Sequence, residues 1–140
     1  MRPMSGASRE IEIKLPYPST DQAFEALAAR GARVSSARAF EDNAVFDTAD
    51  GVLESSDRLL RLRIRAGVST LTFKAPVEGT HRHKVRVEHE TVVADPGATR
   101  AILEALGYRA VYRYQKYRTV FDIDGLTACV DETPIGCWVE

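Results

Sequence analysis

Charged and apolar residues alternate along much of this chain with a period of two, the signature of strands whose successive side chains point to opposite faces. Glu10, Glu12 and Lys14 share one face of the first such run, opposite Ile11, Ile13 and Leu15. Arg61, Arg63 and Arg65 oppose Leu60, Leu62 and Ile64, and Thr70, Thr72 and Lys74 oppose Leu71, Phe73 and Ala75. Lys84, Arg86, Glu88 and Glu90 oppose Val85 and Val87. Further on, Lys116 and Arg118 share a face with Asp122, and Asp131 falls with Thr127 and Cys129 opposite Leu126, Ala128 and Val130.

Two interruptions of this pattern read as helices. Ser19 with Gln22 has capping-box spacing and Gly31 ends the first; Asp95-Pro96 supplies a cap and a first-turn proline, and Gly107 ends the second. Ala66-Gly67 and Asp124-Gly125 read as two-residue hairpin turns, joining Leu59–Arg65 to Ser69–Ala75 and Arg113–Ile123 to Leu126–Asp131. The prediction is seven or eight strands and two main helices. Glu10-Ile11-Glu12 has a counterpart in Glu88-His89-Glu90, Phe24-Glu25-Ala26-Leu27 in Leu103-Glu104-Ala105-Leu106, and Val45-Phe46-Asp47 in Val120-Phe121-Asp122. The chain therefore reads as a duplicated strand-helix-strand unit, although capping residues and Leu-Ala pairs also recur by chance.

Alternation of this kind ordinarily marks an antiparallel sheet with one wet face. Here the signs are segregated: Arg61, Arg63 and Arg65 stand with Lys74, Lys84 and Arg86, whereas carboxylates gather at Glu10, Glu12, Glu88, Glu90 and Asp131. Like charges facing each other across a sheet repel. The alternative is a closed barrel that carries the charges in its lumen and packs its apolar faces on outer helices. Such a lumen calls for a polyanion, because clustered cations removed from bulk water carry a large desolvation cost.

At 140 residues the chain is sized for one domain, and a net charge of -1 with pI ≈ 6.3 lacks the basic field of a nucleic-acid binder. Cys129 and Cys137 match no metal-knuckle spacing and read as small core residues. The opening residues lack a signal-peptide core and no run reaches transmembrane length, so a cytoplasmic protein with no membrane partner is expected. His81 and His83, with Arg82 between them, are expected on a loop rather than at a metal. Tyr112, Tyr114 and Tyr117 are expected to pack as ordinary strand aromatics rather than to stack a base. No P-loop and no Ser/His/Asp arrangement is present.

The string Glu10-Ile11-Glu12-Ile13-Lys14 matches E-x-E-x-K and resembles the signature of the CYTH superfamily, the triphosphate tunnel metalloenzymes. Its members include class IV adenylyl cyclases, thiamine triphosphatases and inorganic tripolyphosphatases. The resemblance continues in order through Arg61-Leu62-Arg63, Lys74, Arg86-Val87-Glu88-His89-Glu90, Lys116-Tyr117-Arg118 and the run from Asp131 to Glu140. Length and helix placement most resemble the bacterial class IV cyclase-like branch.

That resemblance implies an α+β fold, an eight-stranded antiparallel β-barrel with helices outside, and one CYTH domain over 9–140 after a flexible arm over 1–8. It also implies dependence on Mg2+ or Mn2+, oxygen-seeking ions suited to carboxylates and phosphates. By position, Glu10 and Glu12 resemble the metal-binding pair, joined by Asp131 and Glu140, with Glu88 and Glu90 as candidates for a second metal or for holding the arginines. Lys14, Arg61, Arg63, Lys74, Lys116 and Arg118 resemble the phosphate-binding cations, with Arg86, or Lys84 in its place, added. Turnover is expected to depend on Glu10, Glu12 and Lys14. Trp138 is expected to pack beside the metal strand. The family pattern G-x-F-x-E-x-E and a further helix are cut short at Glu140, so an incomplete C-terminus is an expectation too.

The function expected is divalent-metal-dependent hydrolysis of a triphosphate: inorganic tripolyphosphate, thiamine triphosphate or a nucleoside triphosphate. The alternatives are a class IV adenylyl cyclase making cyclic AMP and pyrophosphate from ATP, and a non-catalytic polyphosphate or nucleotide-binding module. The partner is a small triphosphate, not a nucleic acid, and a homodimer is left open.

Overall fold

The computed structural model of the chain describes residues 8–79 and 84–140, without the Lys84 side chain. The expected N-terminal arm lies outside the described residues except for Ser8, which opens the first strand; His81, His83 and the Lys84 side chain lie outside them as well. The described residues form strands β1 (Ser8–Glu12), β2 (Leu15–Tyr17), β3 (Arg33–Asp47), β4 (Leu59–Arg65), β5 (Val68–Pro76), β6 (Lys84–Val93), β7 (Arg109–Ile123), β8 (Leu126–Thr133) and β9 (Gly136–Val139). Helices α1 (Thr20–Ala28), α2 (Val52–Ser55) and α3 (Pro96–Ala105) interleave with them.

The order of hydrogen-bonded neighbours is β1-β6-β5-β4-β3-β7-β8-β9-β2. The β4–β5, β5–β6, β7–β8, β8–β9 and β2–β9 pairs are antiparallel. Nine strands rather than eight arise because the first alternating run divides: β1 neighbours β6, whereas β2 pairs with β9, opposing Pro16 to Trp138. Pro16 has no N–H to give a ladder, and β2 stands at one end of the order, where a proline is tolerated. Strand, helix of nine or ten residues and strand of fifteen recur as β2-α1-β3 and β6-α3-β7, the element pattern expected of a duplicated unit.

The turn chemistry is as predicted. Ser19 caps α1, its Oγ accepting from Gln22 N–H at 3.1 Å, and Asp95 caps α3, accepting from Ala98 N–H at 2.9 Å. Both hairpin turns have two consecutive residues at positive φ, 49° and 76° at Ala66-Gly67 and 48° and 77° at Asp124-Gly125, the geometry of a type I′ turn.

Two compact units are present, and each has its own core. One comprises the chain up to Ile11 with Asp42–Tyr114, and the other Glu12–Glu41 with Gln115–Glu140. In the first, Ala44 and Phe46 of β3 and Leu62 of β4 pack with Leu103 of α3. In the second, Ala23 and Leu27 of α1 pack on Phe121, Ala128, Val130 and Cys137, and the Phe24 and Phe121 rings meet at 5.6 Å. The apolar strand faces thus lie under the helices, as the barrel reading requires. Ile11, Ile13, Leu15, Ile64 and Leu126 are exceptions: 67%, 51%, 51%, 42% and 70% exposed, they belong to neither core.

The short helix α2 was not anticipated, because its entry signal is remote. Asp47, at the end of β3, accepts from Thr48 N–H at 2.7 Å, Leu53 N–H at 2.9 Å and Glu54 N–H at 3.0 Å. Burial pushes this carboxyl up, but the backbone donors outweigh it and hold it below the usual carboxylate range. Asp47→Ala leaves those donors without their acceptor and is expected to lower the unfolding free energy by about 1–2 kcal/mol. Urea unfolding at neutral pH measures it.

Candidate functional site

Burial distinguishes the two accounts of the alternating charges. A wet face would leave the charged positions exposed, yet Arg61 is 7% exposed, Lys74 7%, Lys116 9% and Asp131 1%, with Thr72, Glu41 and Asn43 fully buried. The charged face of each unit is therefore an inner face, opposite the helix-covered apolar side.

In the first unit β5 lies between β4 and β6, with Arg61 opposite Thr72, Lys74 opposite Glu88, and Thr72 opposite Glu90. Lys74 Nζ reaches Glu10 Oε2 at 2.5 Å, and the Thr72 hydroxyl donates to Glu90 at 2.9 Å. Burial and the neighbouring Glu90 push the Glu88 carboxyl up, against the pull of Lys74. Arg63 Nε donates to Asn43 Oδ1 at 2.7 Å. Arg61 differs from its neighbours. Its Nη1 donates to the Tyr114 hydroxyl at 3.4 Å, its Nε has no hydrogen-bond partner among the described residues, and no carboxylate there pairs with it. Arg86 is engaged otherwise, donating to the Asp57 carbonyl and carboxylate at 2.7 and 2.9 Å.

In the second unit one buried carboxylate gathers two cations. Asp131 accepts from Lys116 Nζ at 2.7 Å and from Arg118 Nε and Nη2 at 2.6 and 2.7 Å, the latter a bidentate fork. Arg118 Nη2 also donates to Glu140 at 2.6 Å, Glu140 lies 3.2 Å from Lys14 Nζ, and Glu41 lies 3.8 Å from Arg118 Nε. Burial pushes the Asp131 carboxyl up, but Arg118 and Lys116 outweigh it and hold it below the usual carboxylate range. Lys14 Nζ sits 5.3 Å from the Trp138 ring, placing that aromatic beside the charged cluster.

The expected phosphate cations thus divide between the units: Arg61, Arg63, Lys74 and Arg86 in the first, Lys14, Lys116 and Arg118 in the second. Sequence reasoning missed Glu41 and Asn43, since the N-terminal part of β3 shows no clean alternation. Among the described residues no three His, Cys, Asp or Glu side chains gather as a ligand set. Asp131 and Glu140 spend their oxygens on Arg118, Lys116 and Lys14. Glu10 and Glu12 stand two apart on β1, both half-buried, and Glu10 already meets Lys74 Nζ; carboxylates are the donor type that Mg2+ or Mn2+ takes, one or two sufficing when phosphate oxygens complete the shell.

Comparison with known proteins agrees with this geometry. A protein of Methanocaldococcus jannaschii that bears the name of a candidate adenylate cyclase is 26% identical over 132 residues, covering 94% of this chain and 74% of that one. Among solved structures, the PH1819 protein of Pyrococcus horikoshii superposes with a TM-score of 0.78 at 23% identity, over 94% of this chain and 75% of that one. A cyclase-named protein of Hippeastrum, described as having a dominant triphosphatase activity, superposes with a TM-score of 0.63 at 21% identity, over 94% and 76%. The CYTH domain profile matches residues 8–140, and the chain belongs to the CYTH domain family.

Proposed function

We propose that this chain is a divalent-metal-dependent triphosphatase, with residues 9–140 acting as one CYTH domain. The observation that carries the reading is Arg61, a cation more than nine-tenths buried without a carboxylate partner among the described residues. An unpaired buried charge costs several kcal/mol, about 3–5 where one partner of a pair is lost, so its presence signals an anion supplied from outside the chain. Arg63 and Lys74 of the same unit add further phosphate contacts, and Lys116, Arg118 and Lys14 are the phosphate-binding candidates of the other unit. Arg86, tied to Asp57, is the least available of the cations.

Glu10 and Glu12 would hold the divalent ion, which when bound neutralises phosphate charge and polarises a phosphoryl oxygen or water. The remaining work falls to the chain's own residues. Asp131 and Glu140 position Arg118 and Lys116, and the cations stabilise charge moving toward the bridging oxygen as its bond to the terminal phosphorus breaks. Water supplies the new bond, and orthophosphate leaves. Glu88 and Glu90 set the charge around Lys74.

The name of the M. jannaschii relative favours a second reading, attack of a ribose 3′-hydroxyl on the α-phosphorus of ATP with loss of pyrophosphate. Incubation with tripolyphosphate, thiamine triphosphate and ATP in Mg2+ or Mn2+, followed by product separation, discriminates. Orthophosphate is the expected product, abolished in Glu10→Ala and Glu12→Ala. Cyclic AMP with pyrophosphate would establish the cyclase reading, and binding without turnover the non-catalytic module.

A further inference from the structure

Arg86 is held by a residue that neither the alternation of charges nor the family motifs single out. Its Nη2 donates twice to Asp57, to the carbonyl at 2.7 Å and to the carboxylate at 2.9 Å. Asp57 belongs to the short segment that joins α2 to β4, the strand of Arg61 and Arg63, and it lies in the same compact unit as Arg61, Arg63, Lys74 and Arg86. Its own N–H donates to the Glu54 carbonyl at 3.0 Å, which fixes the turn, and its φ of 54° is in the left-handed region that Asp and Asn adopt more readily than other side chains.

Two features distinguish this contact from a pair that merely ties a loop to a strand. The pair is lopsided: the Arg86 side chain is 11% exposed and that of Asp57 69%. The buried partner is the cation, which alternates along β6 with Glu88 and Glu90 and so stands on the charged face. The grip also leaves Arg86 incomplete, because its Nε is buried with no hydrogen-bond partner among the described residues. A carboxylate in water pairs weakly, whereas phosphate oxygens offer charge-assisted bonds that match the fork of a guanidinium. Arg86 is therefore held by the weaker of the two anions that could take it.

We infer that Asp57 is a built-in rival of the polyphosphate for Arg86, a residue of this chain that lowers the affinity of the first unit's cations for phosphate. The inference rests on the triphosphate reading and names a residue that tunes it. Ligand oxygens that reach Arg86 displace the Asp57 carboxylate, which returns to water without rearrangement of the turn.

Calorimetric titration of tripolyphosphate into wild type, Asp57→Asn, Arg86→Met and the double variant, all in one Mg2+ buffer, tests it. Asparagine keeps the shape and tolerates the left-handed conformation, so that only the charge is removed. Asp57→Asn is expected to bind about three- to fivefold more tightly than wild type, the worth of an exposed ion pair. Arg86→Met is expected to bind more weakly, and in its background Asp57→Asn should change nothing. Asp57→Gly, at ease with a positive φ, removes the carboxylate by a second route and should show the same gain. Unchanged or weaker binding in both Asp57 variants, an equal gain with and without Arg86, or no loss in Arg86→Met overturns the inference while leaving the triphosphate reading in place. Failure of wild type to bind tripolyphosphate overturns both.

Discussion

Replacing Asp131 with alanine is expected to lower the unfolding free energy by about 3–5 kcal/mol, because it strands buried cations that have lost their shared counter-ion. Lys116 and Arg118 both donate to this carboxylate, and neither side chain is more than 13% exposed. Glu140 still meets Arg118, but Lys116 keeps no carboxylate within ion-pair distance among the described residues. Asp131→Asn retains the shape and one acceptor oxygen and should lose less. Because the folded carboxyl titrates below the ordinary range, its stabilisation is complete above the unfolded value of about pH 4 and fades as pH falls through the lower folded value. Urea unfolding of wild type and both variants at neutral pH measures the loss. A drop of under about 1 kcal/mol for the alanine variant, the size expected of an exposed pair, would contradict the buried network.

Arg61→Met is expected to act in the opposite sense on stability while damaging binding. Removing a buried charge that has no carboxylate partner among the described residues, and filling its space with an apolar chain, leaves stability unchanged or raises it by about 1–3 kcal/mol. Triphosphate affinity should fall at the same time by about 10- to 100-fold, the worth of a charge-assisted hydrogen bond or two. A protein that becomes more stable as it loses its ligand displays a residue kept for function rather than folding. A variant that is less stable and binds as before would show Arg61 to be structural.

Much of this fold could be read from parity and turn chemistry. Ser19, Asp95, Ala66-Gly67 and Asp124-Gly125 act locally, and each caps or turns where local rules place it. The division of the first strand at Ile13-Lys14 could not be read, since it depends on β1 and β2 having different neighbours far along the chain. Helix α2 was hidden for a similar reason, its N–H groups being met by Asp47 from the preceding strand. At the site, alternation identified which residues share a face but not what each one holds. The family pattern groups Asp131 with the metal-ligand candidates by its position alone. Its two donors, Lys116 and Arg118, come from the neighbouring strand β7, and only the β7–β8 register brings Arg118 opposite it.

The proposed function requires the buried cations to take a polyphosphate chain. Its most direct test is the affinity of the wild-type protein for orthophosphate, pyrophosphate and tripolyphosphate, titrated calorimetrically in the same Mg2+ buffer. Each added phosphoryl group that meets another buried cation should tighten binding by about tenfold or more, so that tripolyphosphate binds far more tightly than orthophosphate. Equal affinities for the three, or no binding of tripolyphosphate at millimolar concentration, would contradict it.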